Sequence, residues 1–278
     1  MSDGRSGIGG LFDTLFGIQP VRGPCPTLPW TVPEIGIEMM WIEPGGFMMG
    51  SPLGEDGRSD GETAHLVSLT RGFWLGKYQV TQGQWTALVD ANPSSYKTCG
   101  PDAPVERVRW VEAMEFCARL TKIEKKARRL PAGYEYCLPT EAQWEYACRA
   151  GTTGPYGGTG NLGDMGWFHD NAEGKTEMPV GKKQPSAWGL YDMHGNVCEW
   201  CADWFGPYQA TAVVDPTGPE KGAARVLRGG SYCSIARYCR AAIRFSDFPS
   251  NRLDDLGFRI ALRSVAPTKH HHGDAKTK

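Results

Sequence analysis

The sequence has no apolar run long enough to span a bilayer, no basic start followed by an apolar stretch, and no internal repeat. The first absence excludes a membrane-spanning helix. The second means that Met1–Arg22 does not read as an export signal, so a cytoplasmic location with reduced thiols is expected, and surface display would need a route the sequence does not show. Charge of one sign is also missing. A net charge of −1 over 278 residues builds no broad field, so nucleic acid is not an expected partner. Histidine is scarce: outside His270–His272 there are only His65, His169 and His194, too scattered to suggest a metal centre. Cys198-Glu-Trp-Cys201 has no second C-x-x-C to complete a zinc site, and the nine cysteines are odd in number and irregular in spacing.

One absence is local. From Ser231 to Arg263 there is no Lys, Glu, Gln, Met or Trp, although the rest of the chain uses all five. These residue types share one property: none has a codon ending in a pyrimidine. A segment rewritten codon by codon, with the third base kept as C or T, would lack them. A simple preference for Arg in this stretch would look similar.

What is present is glycine (36), proline (20) and tryptophan (10), with 40% apolar residues. That mixture predicts one soluble domain rich in turns, with short strands and aromatic side chains filling the gaps between loops. Residues 1–35 read as a flexible leader, because Pro20, Pro24, Pro26, Pro29 and Pro33 forbid regular helix. Strands are expected at 37–42, 47–50, 66–69 and 73–75. Thr81-Gln-Gly-Gln84 and Thr140-Glu-Ala-Gln143 each have capping-box spacing and predict helices starting just after the threonine, the second stopped by Gly151. A further helix is expected over about 110–122, and residues 151–187 read as loop. Arg225–Ser231 and Gly257–Leu262 read as short strands with exposed loop between them, and residues 264–278 as a disordered tail.

Several phrases then form a set: Pro-Gly-Gly-Phe-Met-Met-Gly-Ser at 44–51, Val80-Thr81, Leu-Pro-Thr-Glu-Ala-Gln-Trp-Glu-Tyr-Ala at 138–147, Gly-Leu-Tyr-Asp-Met-His-Gly-Asn-Val at 189–197, Arg-Gly-Gly-Ser at 228–231 and Gly-Phe-Arg at 257–259. Together they resemble the formylglycine-generating enzyme (sulfatase-modifying factor) family over about residues 36–263. The resemblance implies an α+β, C-type-lectin-like fold, low in regular secondary structure.

Fold does not fix function, and three readings compete. The resemblance implies, for an enzyme, a copper-dependent oxidase that converts a substrate-protein cysteine to formylglycine with two cysteines and a serine. Ser231 matches the serine and Cys239 the downstream cysteine. The upstream cysteine should stand where Ser234 is; Cys233 is one residue off and on a strand would point to the other face. The second reading is a binding protein. Residues 232–256 are similar to the variable segment of proteins diversified by retroelements, with Cys239–Ala242, Arg244, Pro249, Arg252 and Gly257–Arg259 as fixed-looking positions. The candidate binding residues are Tyr232, Cys233, Ser234, Ile235, Ala236, Arg237, Ile243, Phe245, Ser246, Asp247, Phe248, Ser250, Asn251, Leu253, Asp254, Asp255 and Leu256. Aromatic, aliphatic and acidic side chains on anchored loops give contact area at low ordering cost, which suits a protein or other macromolecular partner. The third reading, a sulfoxide-forming oxidase of the same fold, requires a histidine metal site that this chain does not suggest. The missing thiol favours binding.

The family resemblance also implies a structural calcium ion at Asp192, Gly195, Val197 and Glu199, through two carboxylates and two backbone carbonyls, if the loop bends at Gly195.

Overall fold

The computed structural model describes residues 23–172 and 177–265. The expected leader up to residue 22 and the tail from residue 266 lie outside the described residues. Five strands, β1 (Trp30–Val32), β2 (Ile37–Ile42), β5 (Phe73–Gly76), β12 (Ala261–Ser264) and β6 (Tyr134–Cys137), form an antiparallel sheet in the order β1-β2-β5-β12-β6. A second sheet has the order β10 (Phe245–Asp247), β9 (Arg225–Arg228), β7 (Cys198–Trp204), β11 (Leu256–Gly257). A third, β3 (Gly45–Met49), β4 (His65–Leu69) and β8 (Val213–Val214), lies apart from both in hydrogen bonding.

The helices start where the caps predict. Thr81 caps α1 (Gln82–Thr86) and Thr140 caps α3 (Glu141–Arg149), each threonine hydroxyl accepting from the third residue on, whose glutamine side chain accepts from the threonine N–H in return. The left-handed residue that closes α3 is Ala150 (φ 44°), one position before the expected Gly151. α2 runs Trp110–Lys126, longer than expected, because the fully buried Glu124 pairs with Arg129 at 2.6 Å. A polar-looking last turn is therefore part of the core. Two single-turn helices, α4 (Leu162–Met165) and α5 (His169–Ala172), interrupt the expected 151–187 loop.

The leader expectation is corrected at its C-terminal end. Trp30–Val32 is an edge strand paired with Ile37–Met39, and the Trp30 indole donates to the Tyr136 hydroxyl at 2.9 Å. Pro29 and Pro33 flank this strand without interrupting it, and an edge position spares the ladder their missing N–H. The C-terminal strand is also displaced: pairing occurs at Leu256–Gly257 and again at Ala261–Ser264, with Phe258–Ile260 bridging two sheets.

Strand alternation divides the interior into two cores. Trp74 of β5, Leu262 of β12 and Trp200 of β7 join Phe116 and Leu120 of α2 on one side. Phe73, Leu75, Ala261 and Cys201 join Trp144 and Ala147 of α3 on the other. The same alternation settles the C-x-x-C. Three residues apart on β7, Cys198 packs beside the first core and Cys201 lies within the second, and both thiols are free.

Candidate functional site: an arginine-anchored surface beside Ser231

The Arg225–Leu262 stretch is pinned by arginines whose guanidinium groups point inward. Arg228 ends β9 fully buried; it donates to the backbone carbonyls of Ala241, Ala242 and Ile243 and pairs with Glu145 of α3. Arg240 donates to Glu62 and Glu55 at 2.6–2.8 Å and to the Gly57 carbonyl at 2.6 Å. Arg244 forks onto both Glu141 oxygens at 2.6 and 2.7 Å, and Arg252 holds the Arg107 carbonyl and Glu112. Arg259 clasps both oxygens of Glu199 at 2.6 and 2.7 Å. Backbone bonds add to this: the N–H groups of Tyr232 and Ala241 donate to the Asn196 and Pro155 carbonyls, and the Ser234 carbonyl accepts from His169.

Between these anchors the candidate binding residues separate into three groups. Cys233, Ile235, Arg237, Ser246, Phe248, Ser250, Leu253 and Asp254 are exposed. Tyr232, Ser234, Ala236, Phe245, Asp247, Asn251 and Asp255 are half-buried. Ile243 and Leu256 are corrected: at 5% and 0% exposure they are core residues, Ile243 beneath Arg228 and Leu256 paired in β11 with Cys198. The fold joins residues 232–234 to 254–255, through the Tyr232–Tyr96–Asp254 hydroxyl chain and through Asp255, which accepts from Ser231. It keeps residues 245–251 apart from them. β10 runs away from Ser231, pairing Asp247 with Arg225 at the far end of β9, and Phe248 follows it there.

The residues proposed for oxidation chemistry gather around the Ser231 hydroxyl. Residues 231–235 form a turn, which corrects the expectation of a strand with Cys233 and Ser234 on opposite faces. Cys233 Sγ and Ser234 Oγ both lie 3.2 Å from Ser231 Oγ, and Ser234 Oγ accepts from the Ser231 N–H. Cys233 donates to Asp255 at 3.3 Å; burial, then the nearby carboxylate, push its thiol above the ordinary value. Cys239 is 0% exposed and burial pushes its thiol up to about 12. Gly230 (φ 69°) makes room for it: a Cβ there would meet Cys239 Sγ at 2.8 Å and the Tyr238 carbonyl at 2.5 Å. Copper(I) is held by thiolates; the place three residues past Ser231 carries the Ser234 hydroxyl, and the second thiol near Cys239 is that of Cys233, one residue earlier.

His194, absent from the candidate list, secures the floor of this turn. It is buried, its Nδ1 lies 2.7 Å from the Cys239 carbonyl and its Nε2 accepts from the Gly157 N–H at 2.9 Å, so it is neutral with its proton on Nδ1. His65 and His169 are elsewhere, on Thr63 and Asp170. A cavity of about 610 Å³ opens away from the Ser231 turn, bordered by His65, Asp203, Tyr208 and Arg244.

The four calcium-loop residues do converge. Gly195 (φ 87°) makes the expected bend, and a Cβ there would strike the Trp167 carbonyl at 2.0 Å. The donor set differs from expectation. Asp192 Oδ2 accepts from the Gly181 N–H at 2.8 Å, its Oδ1 is buried without a hydrogen-bond partner, and its carbonyl joins those of Gly195 and Val197 and the Glu199 carboxylate around the centre. That centre is taken by the side-chain amide of Gln79, a residue the sequence did not single out.

Short twisted sheets with little helix, closing over an arginine-pinned loop surface, define a C-type-lectin-like α+β domain. The chain belongs to the sulfatase-modifying factor family: residues 30–264 match its enzyme 1-like domain. It is 32% identical to the formylglycine-generating enzyme of Streptomyces coelicolor, over 78% of this chain and 87% of that protein. It is 36% identical to that of Thermomonospora curvata, over 64% and 63%. Among solved structures it is similar to Treponema denticola variable protein 1, with a TM-score of 0.73, 30% identity, and coverage of 84% of this chain and 98% of the other. PvdO from Pseudomonas aeruginosa gives a TM-score of 0.71 at 28% identity, over 86% and 99%. No helix among the described residues is long and apolar enough to cross a membrane.

Proposed function

We propose that this chain binds a macromolecular partner, a protein above all, through the side chains exposed on residues 232–256. One observation carries the reading. The residues taken from the family pattern as fixed are buried or tied down, while Ile235, Phe248 and Leu253 stand 42%, 59% and 41% exposed between them. Apolar side chains held in water on rigid loops cost stability and earn contact area only when something docks on them. The likeness to a variable protein supports the same reading.

The alternative is a formylglycine-generating oxidase. It is favoured by the relatives of that name and by the Cys233 thiol, exposed and 3.2 Å from Ser231 Oγ. One experiment separates the two. Purified protein is incubated with Cu(I), oxygen and a Cys-x-Pro-x-Arg peptide, and peptide mass is followed. No mass change is expected for the binder. Conversion of the cysteine to formylglycine would defeat it. Sequencing the DNA beside the gene supplies the positive arm: a near-copy of the 232–256 coding segment, with adenines at the exposed positions and a reverse transcriptase nearby, is expected.

A further inference from the structure

The Asp192–Glu199 loop is gathered around one atom. Gln79 Nε2 lies 2.8 Å from the Val197 carbonyl, 2.9 Å from Glu199 Oε1, and 3.3 Å from the carbonyls of both Asp192 and Gly195. These are the residues that the family resemblance assigns to calcium. We propose that the Gln79 amide is this chain's built-in substitute for the ion, so the loop closes without metal.

Three features support it. First, the centre is full. Calcium takes six to eight oxygens at roughly 2.3–2.6 Å, and neither the number nor the spacing survives with an amide nitrogen in the middle. Second, the Glu199 charge is already balanced. Arg259 donates to both Glu199 oxygens, and the same guanidinium reaches the Asp192 carbonyl at 3.3 Å, so a divalent ion would face a cation across shared ligands. Trp144 Nε1 donates to Glu199 as well, at 2.7 Å. Third, the amide's orientation is fixed by the oxygens around it. Gln79 is 1% exposed and its Oε1 is buried without a partner. Each of the two amide hydrogens has its own acceptor, the Val197 carbonyl at 2.8 Å and Glu199 Oε1 at 2.9 Å, which holds the nitrogen inward. The next residue holds Gln79 there independently: the Val80 N–H donates to the Phe258 carbonyl, and the Val80 carbonyl accepts from the Val105 N–H.

The test is thermal unfolding with elemental analysis. Wild-type protein, dialysed against a chelator, is expected to retain no calcium and to show the same midpoint in EDTA and in millimolar calcium. About one calcium per chain after dialysis, or a midpoint that falls in EDTA and returns with calcium, would overturn the proposal. Gln79→Glu replaces the central donor with a carboxylate facing four oxygens. Its midpoint is expected to fall in EDTA and to rise by several degrees with calcium. A folded Gln79→Glu indifferent to calcium would overturn the reading of those oxygens as an ion-type ring. If that variant does not fold, the wild-type measurements decide alone.

Discussion

Two sets of residues share the Arg225–Leu262 stretch and behave in opposite ways. Arg228, Arg240 and Arg259 are 0–1% exposed, while Phe248 is 59% exposed and Ile235 42%. Hydrophobicity alone would invert this arrangement. The arginines can go inside because each finds a carboxylate and backbone carbonyls, which leaves only Arg228 Nε among their donors without a hydrogen bond. The apolar residues stay outside on loops that the arginines and backbone hydrogen bonds already hold. A surface built this way can change its exposed residues without disturbing what holds it.

The largest effect should come from breaking an anchor. Glu145→Ala removes the close carboxylate partner of the buried Arg228 and Arg149 guanidinium groups and leaves Arg228 only Glu141 at 3.8 Å. A loss of roughly 3–5 kcal/mol is expected in urea unfolding. A loss below about 1 kcal/mol would mean the arginine layer is not what holds the surface. Acid should loosen the same floor. Burial lowers the pKa of His194 to about 4, so the folded state resists a proton that the unfolded chain accepts near its ordinary value. The resulting stability is fully present above the unfolded value and declines as pH falls from about 6.5 to about 4, by roughly 3 kcal/mol. Unfolding measured across that window should show the slope, and His194→Gln should lose this share of it.

Outside the stretch, Thr140→Ala should cost about 1 kcal/mol through the lost cap of α3, a reference for ordinary local damage. The smallest effect belongs to the exposed set. Phe248→Ser and Leu253→Ser should each shift stability by no more than about 0.5 kcal/mol. A larger loss from either would place that residue in the packing and remove it from the proposed contact surface.

Local signals in the chain match the structure closely. Both Thr-x-x-Gln caps start helices, Ile37–Ile42 is a strand as expected, and the family phrases locate the fold. The misreadings came where long-range partners override local pattern. Trp30–Val32 resembles a proline-broken leader until β2 lies beside it. Cys233 and Ser234 look like opposite faces of a strand until the turn brings both to Ser231. Ile243 and Leu256 look like their exposed neighbours until Arg228 and β7 cover them. Gln79 has no local feature that distinguishes it; its role rests on oxygens more than a hundred positions away.

Short-range chemistry was therefore written in the chain order: the caps, the alternation of strands, the phrases that mark the family and the missing second thiol all depend on spacing of a few residues. Folding chose which of nine thiols would be sealed, which arginines would be swallowed and which apolar side chains would be left in water. Those choices depend on what arrives from elsewhere in the chain, because a buried charge is stable only beside its partner and a side chain is exposed only where nothing packs over it.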